Sequence, residues 1–215
     1  MKNISSVIEL GSQDIYATET DVLNFFNVTG AEYKTADVSL SFRGDRPSAR
    51  LVYQGIGVND YQSIDIDGRH NSLHFDLNSD IRTQNNYTAQ FDLVTNHGTS
   101  EHILNQYAVF LNIHNLCKTG GLMFHGLPMH GYHNHGFFNY HPIFFETLAR
   151  SNNYHLDGIW INIDQEYGIP FFEYTDENIA AMMRNIVFDL TTTRIHLWVL
   201  LRKLNDSEFR MPFHA

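Results

Sequence analysis

Near its start the chain contains the run Val7-Ile8-Glu9-Leu10-Gly11-Ser12-Gln13, a short apolar strand followed by a turn. Gly11 has no side chain, so the backbone of this turn can come close to a ligand. Strands that lie parallel in one sheet end at the same edge, and ligands of open α/β sheets bind at that edge. The turn after the first strand is therefore the first candidate ligand contact.

Strand-like runs alternate with helical runs along the rest of the chain, which predicts an α/β fold with a mostly parallel sheet and helices on both faces. The predicted strands are residues 7–10, 61–66, 73–75, 91–95, 122–124, 158–163 and 195–201. Helices are predicted to begin at 46–48, at Ser100, near Phe144 and at Asp176, which caps the last one. Thr119-Gly120-Gly121 is predicted to end the second of these helices, whose buried face includes His114 as a core residue. Together these elements predict a Rossmann-like sheet of seven strands.

The composition fits one globular domain spanning residues 1–215. A chain of this length buries one core well and two poorly, and 43% of the residues are hydrophobic. A net charge of -10 without a basic stripe argues against nucleic acid as a partner. One cysteine, no signal-peptide core and no apolar run of membrane length predict a cytoplasmic protein that does not enter a membrane.

Residues 16–45 are polar and show no sustained helical or strand period, so we interpret them as a lid or an insertion. Such a segment would cover a bound acceptor or form the contact of a homodimer. Its composition does not favour one of these over the other.

Polar residues follow the predicted strands where a ligand carrying adenosine needs them. Glu9 and Asp65 lie at the ends of the first and second strands, Gly11 follows the first, Asp76 the third and Asn96 the fourth. A carboxylate accepts hydrogen bonds from both ribose hydroxyls, and another polar side chain can bind the edge of adenine. Their order along the chain indicates one cofactor site rather than scattered helix caps.

With these motifs the chain resembles the class I S-adenosylmethionine-dependent methyltransferases over nearly its whole length. It is similar in particular to stand-alone bacterial enzymes of small-molecule and glycan-modification pathways. The motifs that carry the resemblance are the 7–14 turn, Ser63 to Gly68, Phe75 to Asn78, Phe91 to Asn96, the Gly98-Thr99-Ser100-Glu101-His102 run and Lys118 to Gly121. The resemblance implies an antiparallel last strand, in a hairpin with the final helix at the sheet edge.

The resemblance also implies S-adenosylmethionine as cofactor and a role for each matching residue. Gly11 would lie under the methionine part, with Glu9 orienting a loop that includes Ser12 and Gln13. The remaining contacts are Asp65 to the ribose, Ile66 and Leu77 beside adenine, Asp76 to its amino group, and Asn96 at the methyl-donor end. The turn has one glycine where the family has two or three. This departure argues more strongly against a nicotinamide enzyme than against a methyltransferase, because a pyrophosphate needs those glycines.

Thirteen histidines are present, and about half of them lie between His97 and His141. Residues 125–142 are predicted to form a histidine-rich loop over the methyl-donor end, where a small polar acceptor would bind. Methyl transfer needs an aligned acceptor and removal of its proton, and histidine can act as a base near neutral pH. The candidate bases are His135, His97 and His125, and the candidate acceptor contacts are Tyr132, Asn139 and Tyr140.

Two alternatives to a histidine base stay open. His130, His133 and His135 could hold a divalent metal ion that acidifies the acceptor, or the chain could be a non-catalytic Rossmann-like protein that binds metal or a partner. Oxygen is the expected methylated atom, with nitrogen as the alternative. Glu101 complements the dipole of a helix or contacts the acceptor.

Overall fold

The computed structural model describes residues 4–31, 33, 38–39, 41–42, 46–164, 171–185 and 193–213. Seven strands form one sheet in the order β2-β1-β3-β4-β7-β5-β6. The strands are β1 (Ser6–Leu10), β2 (Asp60–Ile64), β3 (Phe91–His97), β4 (Cys117–His130), β5 (Tyr154–Asp164), β6 (Phe171–Glu173) and β7 (Arg194–Lys203). β1 to β4 are parallel to one another, whereas β7 is antiparallel to both β4 and β5. The predicted fold class, a mostly parallel sheet with an antiparallel last strand, is confirmed.

The position of β7 differs from the expectation. It lies between β4 and β5 rather than at the edge, and β6 forms that edge by pairing antiparallel with β5. The prediction of a hairpin at the sheet edge is therefore wrong. Alternating burial along β7 explains its place, because Leu197, Val199 and Leu201 are fully buried in the core.

Six helices accompany the sheet in the described part of the chain. They are α1 (Glu19–Thr29), α2 (Arg50–Gly55), α3 (Ile81–Gln84), α4 (Gln106–Leu116), α5 (Pro142–Asn152) and α6 (Asp176–Asn185). Short 3-10 helices occur at Arg69–Asn71 and Ser100–His102. None of these helices has the length and apolar character needed to span a bilayer.

The main core lies between the sheet and the pair α4 and α5. Phe110 and Ile113 of α4 and Phe145 and Leu148 of α5 are almost fully buried there. His114 of α4 is also buried, and its Nδ1 lies 2.6 Å from the hydroxyl of Tyr154. Its predicted role as a core histidine is confirmed.

Several helices begin later than predicted, or are capped by a different residue. α2 begins at Arg50, since Ser48 pairs with Asp14 in an isolated bridge. α4 begins at Gln106, where the Asn105 side chain accepts a hydrogen bond from the amide of Ala108. Ser100 is not that cap. Similarly, the Thr175 hydroxyl accepts from the amide of Asn178 at the start of α6, so Asp176 is not the cap there.

The predicted third strand, residues 73–75, is wrong. Only Leu73 pairs with Ile64, in a single bridge, and the chain then leaves the sheet. As a result Phe75 to Asn78 run across the carboxyl end of β2 instead of extending the sheet. This departure supplies one wall of the cleft described below.

β4 is much longer than predicted, and this changes the histidine-rich stretch. Thr119-Gly120-Gly121 lies inside the strand at a shift of register with β3, rather than ending a helix. The strand then continues through His125 and Gly126 to His130, paired with β7. The predicted loop 125–142 is therefore wrong for its first six residues, and the loop between strand and helix covers only 131–141.

The segment 16–45 contains α1, which the polar sequence did not reveal. Thr18 and Asp21 form a capping box at its start, and Gly30 ends it with a φ of 69°. Phe26 is fully buried, and Gly55 of α2 leaves room for its ring. The role of the segment as a lid or insertion stays a prediction, and part of it lies outside the described residues.

Candidate functional site

A cleft of about 410 Å³ opens at the carboxyl ends of β1, β2 and β3. Six of the predicted cofactor contacts line it, namely Gly11, Gln13, Asp65, Ile66, Asp76 and Leu77. Seven further lining residues were not among the predicted contacts, namely Ile64, Phe75, Asn78, Gly98, Thr99, His102 and Ile103. The volume falls in the range of about 300–1,000 Å³ usual for small-molecule sites.

The turn after β1 shows why one glycine is enough. Gly11 has a φ of 77°, and a Cβ at this position would lie 2.2 Å from the hydroxyl oxygen of Thr99. That hydroxyl donates to the carbonyl of Leu10 at 2.7 Å, so Thr99 cannot easily move away. Any side chain at position 11 would break this contact and fill the floor of the cleft.

Asp65 stands directly after β2 and faces the cleft. Its Oδ2 accepts a hydrogen bond from the backbone amide of Ser12 at 2.9 Å, and its Oδ1 lies 3.3 Å from the amide of Asp67. Each carboxylate oxygen has a second lone pair, so Asp65 can still accept from two ligand hydroxyls. Ser12 therefore holds Asp65 with its backbone but does not itself line the cleft.

Glu9 lies in β1 and supports the same turn without facing the cleft. It is almost fully buried and accepts a hydrogen bond of 2.5 Å from the hydroxyl of Tyr61. Burial raises the pKa of the Glu9 carboxyl, while hydrogen bonds from Tyr61, Tyr53 and the backbone of Gln13 oppose the rise. Glu9 lies outside the cleft lining, so its contact with the turn is through the Gln13 backbone.

Asn96 lies behind the cleft rather than in its wall. It is completely buried, and its amide nitrogen donates to the hydroxyl of Ser100 and approaches His125 Nδ1 at 3.2 Å. The side-chain oxygen of Asn96 accepts a hydrogen bond from the backbone amide of Ser100. The expectation that Asn96 lines the methyl-donor end is therefore not met, because all of these groups face the core.

His125 is part of β4 and cannot reach an acceptor in the cleft. It is 1% exposed, between the rings of Phe110 and Phe145. Burial lowers the pKa of His125 to about 3, so the ring is neutral. Its predicted place in an acceptor loop is wrong.

His97 points to the opposite face of the sheet from Asn96, since successive side chains alternate along a strand. Its ring packs edge-on against Phe124 and Trp198. Burial lowers the pKa of His97 to about 4, with a smaller contribution from His196. Only its backbone carbonyl contacts the cleft wall, by accepting from the side chain of Gln13 at 2.9 Å. The prediction of His97 as a base is not supported by this placement.

His135 is the one predicted base that lies near the cleft, in a cluster with Glu101 and His102. We call these three residues the Glu101 cluster. Glu101 Oε1 lies 3.3 Å from His135 Nε2 and 3.8 Å from His102 Nε2. The Glu101 side chain is fully buried, whereas the two imidazoles are 45–46% exposed. Burial raises the pKa of the Glu101 carboxyl, and the two histidines oppose the rise.

The loop 131–141 is docked onto Glu101 by its backbone. The amide of Phe137 donates to the carbonyl of Glu101 at 2.7 Å. A Cβ on Gly136 would lie 2.8 Å from Glu101 Cγ, so the close approach requires a glycine. His102 also lines the cleft, so the cluster adjoins the cleft through this residue.

The other predicted loop residues differ in their surroundings. Tyr140 is buried and its hydroxyl donates to Gln106 at 2.7 Å, and its contact with an acceptor stays a prediction. Tyr132 packs edge-on against His196 and carries Arg194 over its ring, while Asn139 is exposed.

The predicted histidine trio 130, 133 and 135 is not brought together as a metal site. His130 and His133 have ring centroids 6.2 Å apart. Within the described ranges, the group whose ligand atoms converge is Glu101, His102 and His135. The signal for this set was in the sequence, in the Glu101-His102 pair directly after β3.

Comparison with known proteins shows the fold class. No family model matches the chain, and no curated protein matches it. Among solved structures it is similar to an S-adenosylmethionine-dependent methyltransferase from Archaeoglobus fulgidus, with a TM-score of 0.50 and 12% identity over 94% of this chain and 87% of that one. The chain thus has the class I methyltransferase fold.

A second similar structure is the O-methyltransferase of a trans-AT polyketide synthase from Brevibacillus brevis, solved with S-adenosylhomocysteine. Its TM-score is 0.44, with 12% identity over 93% of this chain and 67% of that one.

Proposed function

We propose that the protein transfers a methyl group from S-adenosylmethionine to an oxygen atom of a small polar acceptor. The observation that carries this proposal is the cleft, in which Gly11, Asp65 and Asp76 converge at the strand ends and which the Glu101 cluster adjoins. The acidic surface favours a small molecule over a nucleic acid as the acceptor.

The residues of the cleft fit the cofactor chemically. Asp65 has free acceptor positions for two ribose hydroxyls, and Asp76 can accept from the amino group of adenine. Ile66, which is 73% exposed at the rim, and Leu77 on the opposite wall would enclose the adenine ring. The glycine floor at position 11 leaves room for the methionine part.

The cofactor supplies an activated methyl group on its sulfonium sulfur. In the transfer the carbon–sulfur bond breaks, a carbon–oxygen bond forms, and the acceptor loses its hydroxyl proton. The protein has to align the acceptor oxygen with the methyl group and remove that proton. The Glu101 cluster is the group at the cleft that can do the second task, and in the simplest form His135 takes the proton while Glu101 holds its ring.

Binding of S-adenosylhomocysteine tests the proposal directly by isothermal titration. We expect one site per chain, and Asp65→Ala should weaken binding at least about tenfold because two hydrogen bonds to a charged group are lost. Asp60→Ala is a matched control, since Asp60 lies on the same strand at its opposite end. A well-folded wild-type protein that shows no binding would contradict the proposal.

A further inference from the structure

The Glu101 cluster has the atoms and spacing of a metal site. One carboxylate and two imidazole nitrogens all lie within 4.8 Å of one another, with Glu101 Oε1 at 3.3 Å and 3.8 Å from the two nitrogens. Two ligand atoms bound tetrahedrally at about 2.1 Å from one ion lie about 3.4 Å apart. The observed distances therefore need only small rotations, which the half-exposed imidazoles can make.

A second and independent feature points to a ligand at this place. Glu101 Oε2 is buried and has no hydrogen-bond partner in the part of the chain that the structure describes. A buried carboxylate oxygen without a partner is costly, and buried charges are normally paired or coordinate a metal. Its neighbour Oε1 faces the two imidazoles, so the carboxylate head lies at the centre of the cluster.

The chain fixes all three residues before any ligand binds. Glu101 and His102 are neighbours in the 3-10 helix that follows β3, and Ser100 of the same helix is held by Asn96. His135 comes from the loop whose amide at Phe137 is bonded to the Glu101 carbonyl. The backbone segments that carry the three side chains are thus held in place by contacts outside the ligand atoms.

We propose that the Glu101 cluster binds one divalent transition-metal ion through Glu101, His102 and His135. Two histidines and one carboxylate are a donor set of catalytic metal sites, which keep a fourth position open for water or substrate. Nitrogen-rich sets favour ions such as zinc, cobalt or nickel over calcium, magnesium and manganese. Because His102 lines the cleft, the open position is next to the space for the cofactor.

The metal site adds a role to the proposed function, and this role depends on that function being correct. An acceptor hydroxyl bound at the open position becomes more acidic, as water does on a catalytic metal. The proton then leaves to solvent through the half-open side of the cluster. His135 acts as a ligand in this form, in place of a free base.

Metal titration of chelator-treated, tag-free protein tests the proposal without any turnover. Cobalt(II) is the probe, because its visible absorption becomes intense when nitrogen and oxygen ligands surround it in a low-coordinate site. We expect one cobalt ion per chain in competition with a weak chelator. His102→Gln and His135→Gln should each weaken binding at least about tenfold, since each removes one of three protein ligands.

The matched control is His155→Gln. His155 is also an exposed histidine beside a carboxylate, with Nδ1 2.9 Å from Asp157, but among the described residues no third ligand joins this pair. Its replacement should leave cobalt binding unchanged. Glu101→Gln should also abolish binding, and circular dichroism checks its fold because the residue is buried.

The outcomes separate the two proposals. Absence of stoichiometric cobalt binding, or binding that survives in both His102→Gln and His135→Gln, overturns the metal site. S-adenosylhomocysteine titrated in the same preparations reports on the cleft alone. Bound S-adenosylhomocysteine without cobalt would overturn only the metal site, whereas bound cobalt without S-adenosylhomocysteine would overturn only the proposed function.

Discussion

Two groups of histidines occur in this chain, and they differ in where they stand relative to the strands. His97 and His125 lie inside β3 and β4, and His114 lies on the buried face of α4. His102 and His135 follow the strands, in the turn after β3 and in the loop after β4. Burial keeps the first group neutral, whereas the second group shares a carboxylate at the cleft.

Histidines that are clustered in sequence therefore need not form one site. A strand that continues by two or three residues turns a loop histidine into a core residue. Only the residues beyond the last ladder hydrogen bond are free to face a ligand, as the position of open α/β sites at strand ends requires. Replacing one histidine from each group tests whether the two groups differ in this way.

The largest effect is expected for His125→Ala. The change leaves a cavity between Phe110 and Phe145 and removes the partner of the Asn96 amide, so the free energy of unfolding should fall by about 3 kcal/mol. His135→Ala at a half-exposed site should cost less than about 1 kcal/mol. Equilibrium unfolding in urea measures both. Equal losses of unfolding free energy would mean that the buried and the half-exposed histidines contribute equally to stability.

Acidification should lower the stability of the protein through the buried histidines. Burial, and then the charge of Lys203, lower the pKa of His114 to about 4, below its value in the unfolded chain. The unfolded chain therefore binds the proton first, and stability falls as the pH drops from about 6.5 toward 4. His114 alone should remove about 2 kcal/mol between about pH 7.5 and about pH 5.

The variant His114→Gln tests this pH dependence, because an amide can still accept from Tyr154 but does not titrate. Its free energy of unfolding, measured across the same pH range, should fall less steeply than that of the wild type. Parallel curves for the two proteins would show that His114 does not carry the acid sensitivity.

Most of the sheet and part of the cleft lining could be predicted from the sequence because they depend on local patterns. Apolar runs mark β1, β2, β3, β5 and β7, and polar residues stand directly after them. Gly11 and Asp65 were found in this way, since a strand end fixes where the next residue lies, whereas Asp76 lines the cleft although the strand predicted before it does not form. Such local signals need no knowledge of distant contacts.

What the sequence did not predict depends on contacts between distant segments. The length of β4 was missed because His125 and Pro128 are typical of loops. Pro128 is tolerated since β3 has already ended at that level, which leaves β4 with β7 as its pairing partner there. Glu101 was underestimated for a similar reason, because its partner His135 is 34 residues away and arrives only through the docked loop.

A smaller effect is expected for Gly136→Ala, which tests that docking. The new Cβ would lie 2.8 Å from Glu101 Cγ and 2.9 Å from the Glu101 carbonyl oxygen, so the loop must shift. Overpacking of this kind should cost about 1 kcal/mol of unfolding free energy. Cobalt binding should weaken more than stability does, because His135 moves with the loop. Asn134→Ala, at an exposed position of the same loop, is the control and should change neither quantity.

The smallest effect is expected when His130 and His133 are both replaced by Gln. These residues come from the same histidine-rich stretch but their ligand atoms do not join those of Glu101, His102 and His135. Cobalt affinity should therefore stay within about twofold, because neither imidazole belongs to the proposed ligand set. A tenfold loss of cobalt affinity in this double variant, with His102→Gln unaffected, would move the metal site back to the loop histidines. The metal ligands would then be histidines close in sequence rather than residues placed at the strand ends.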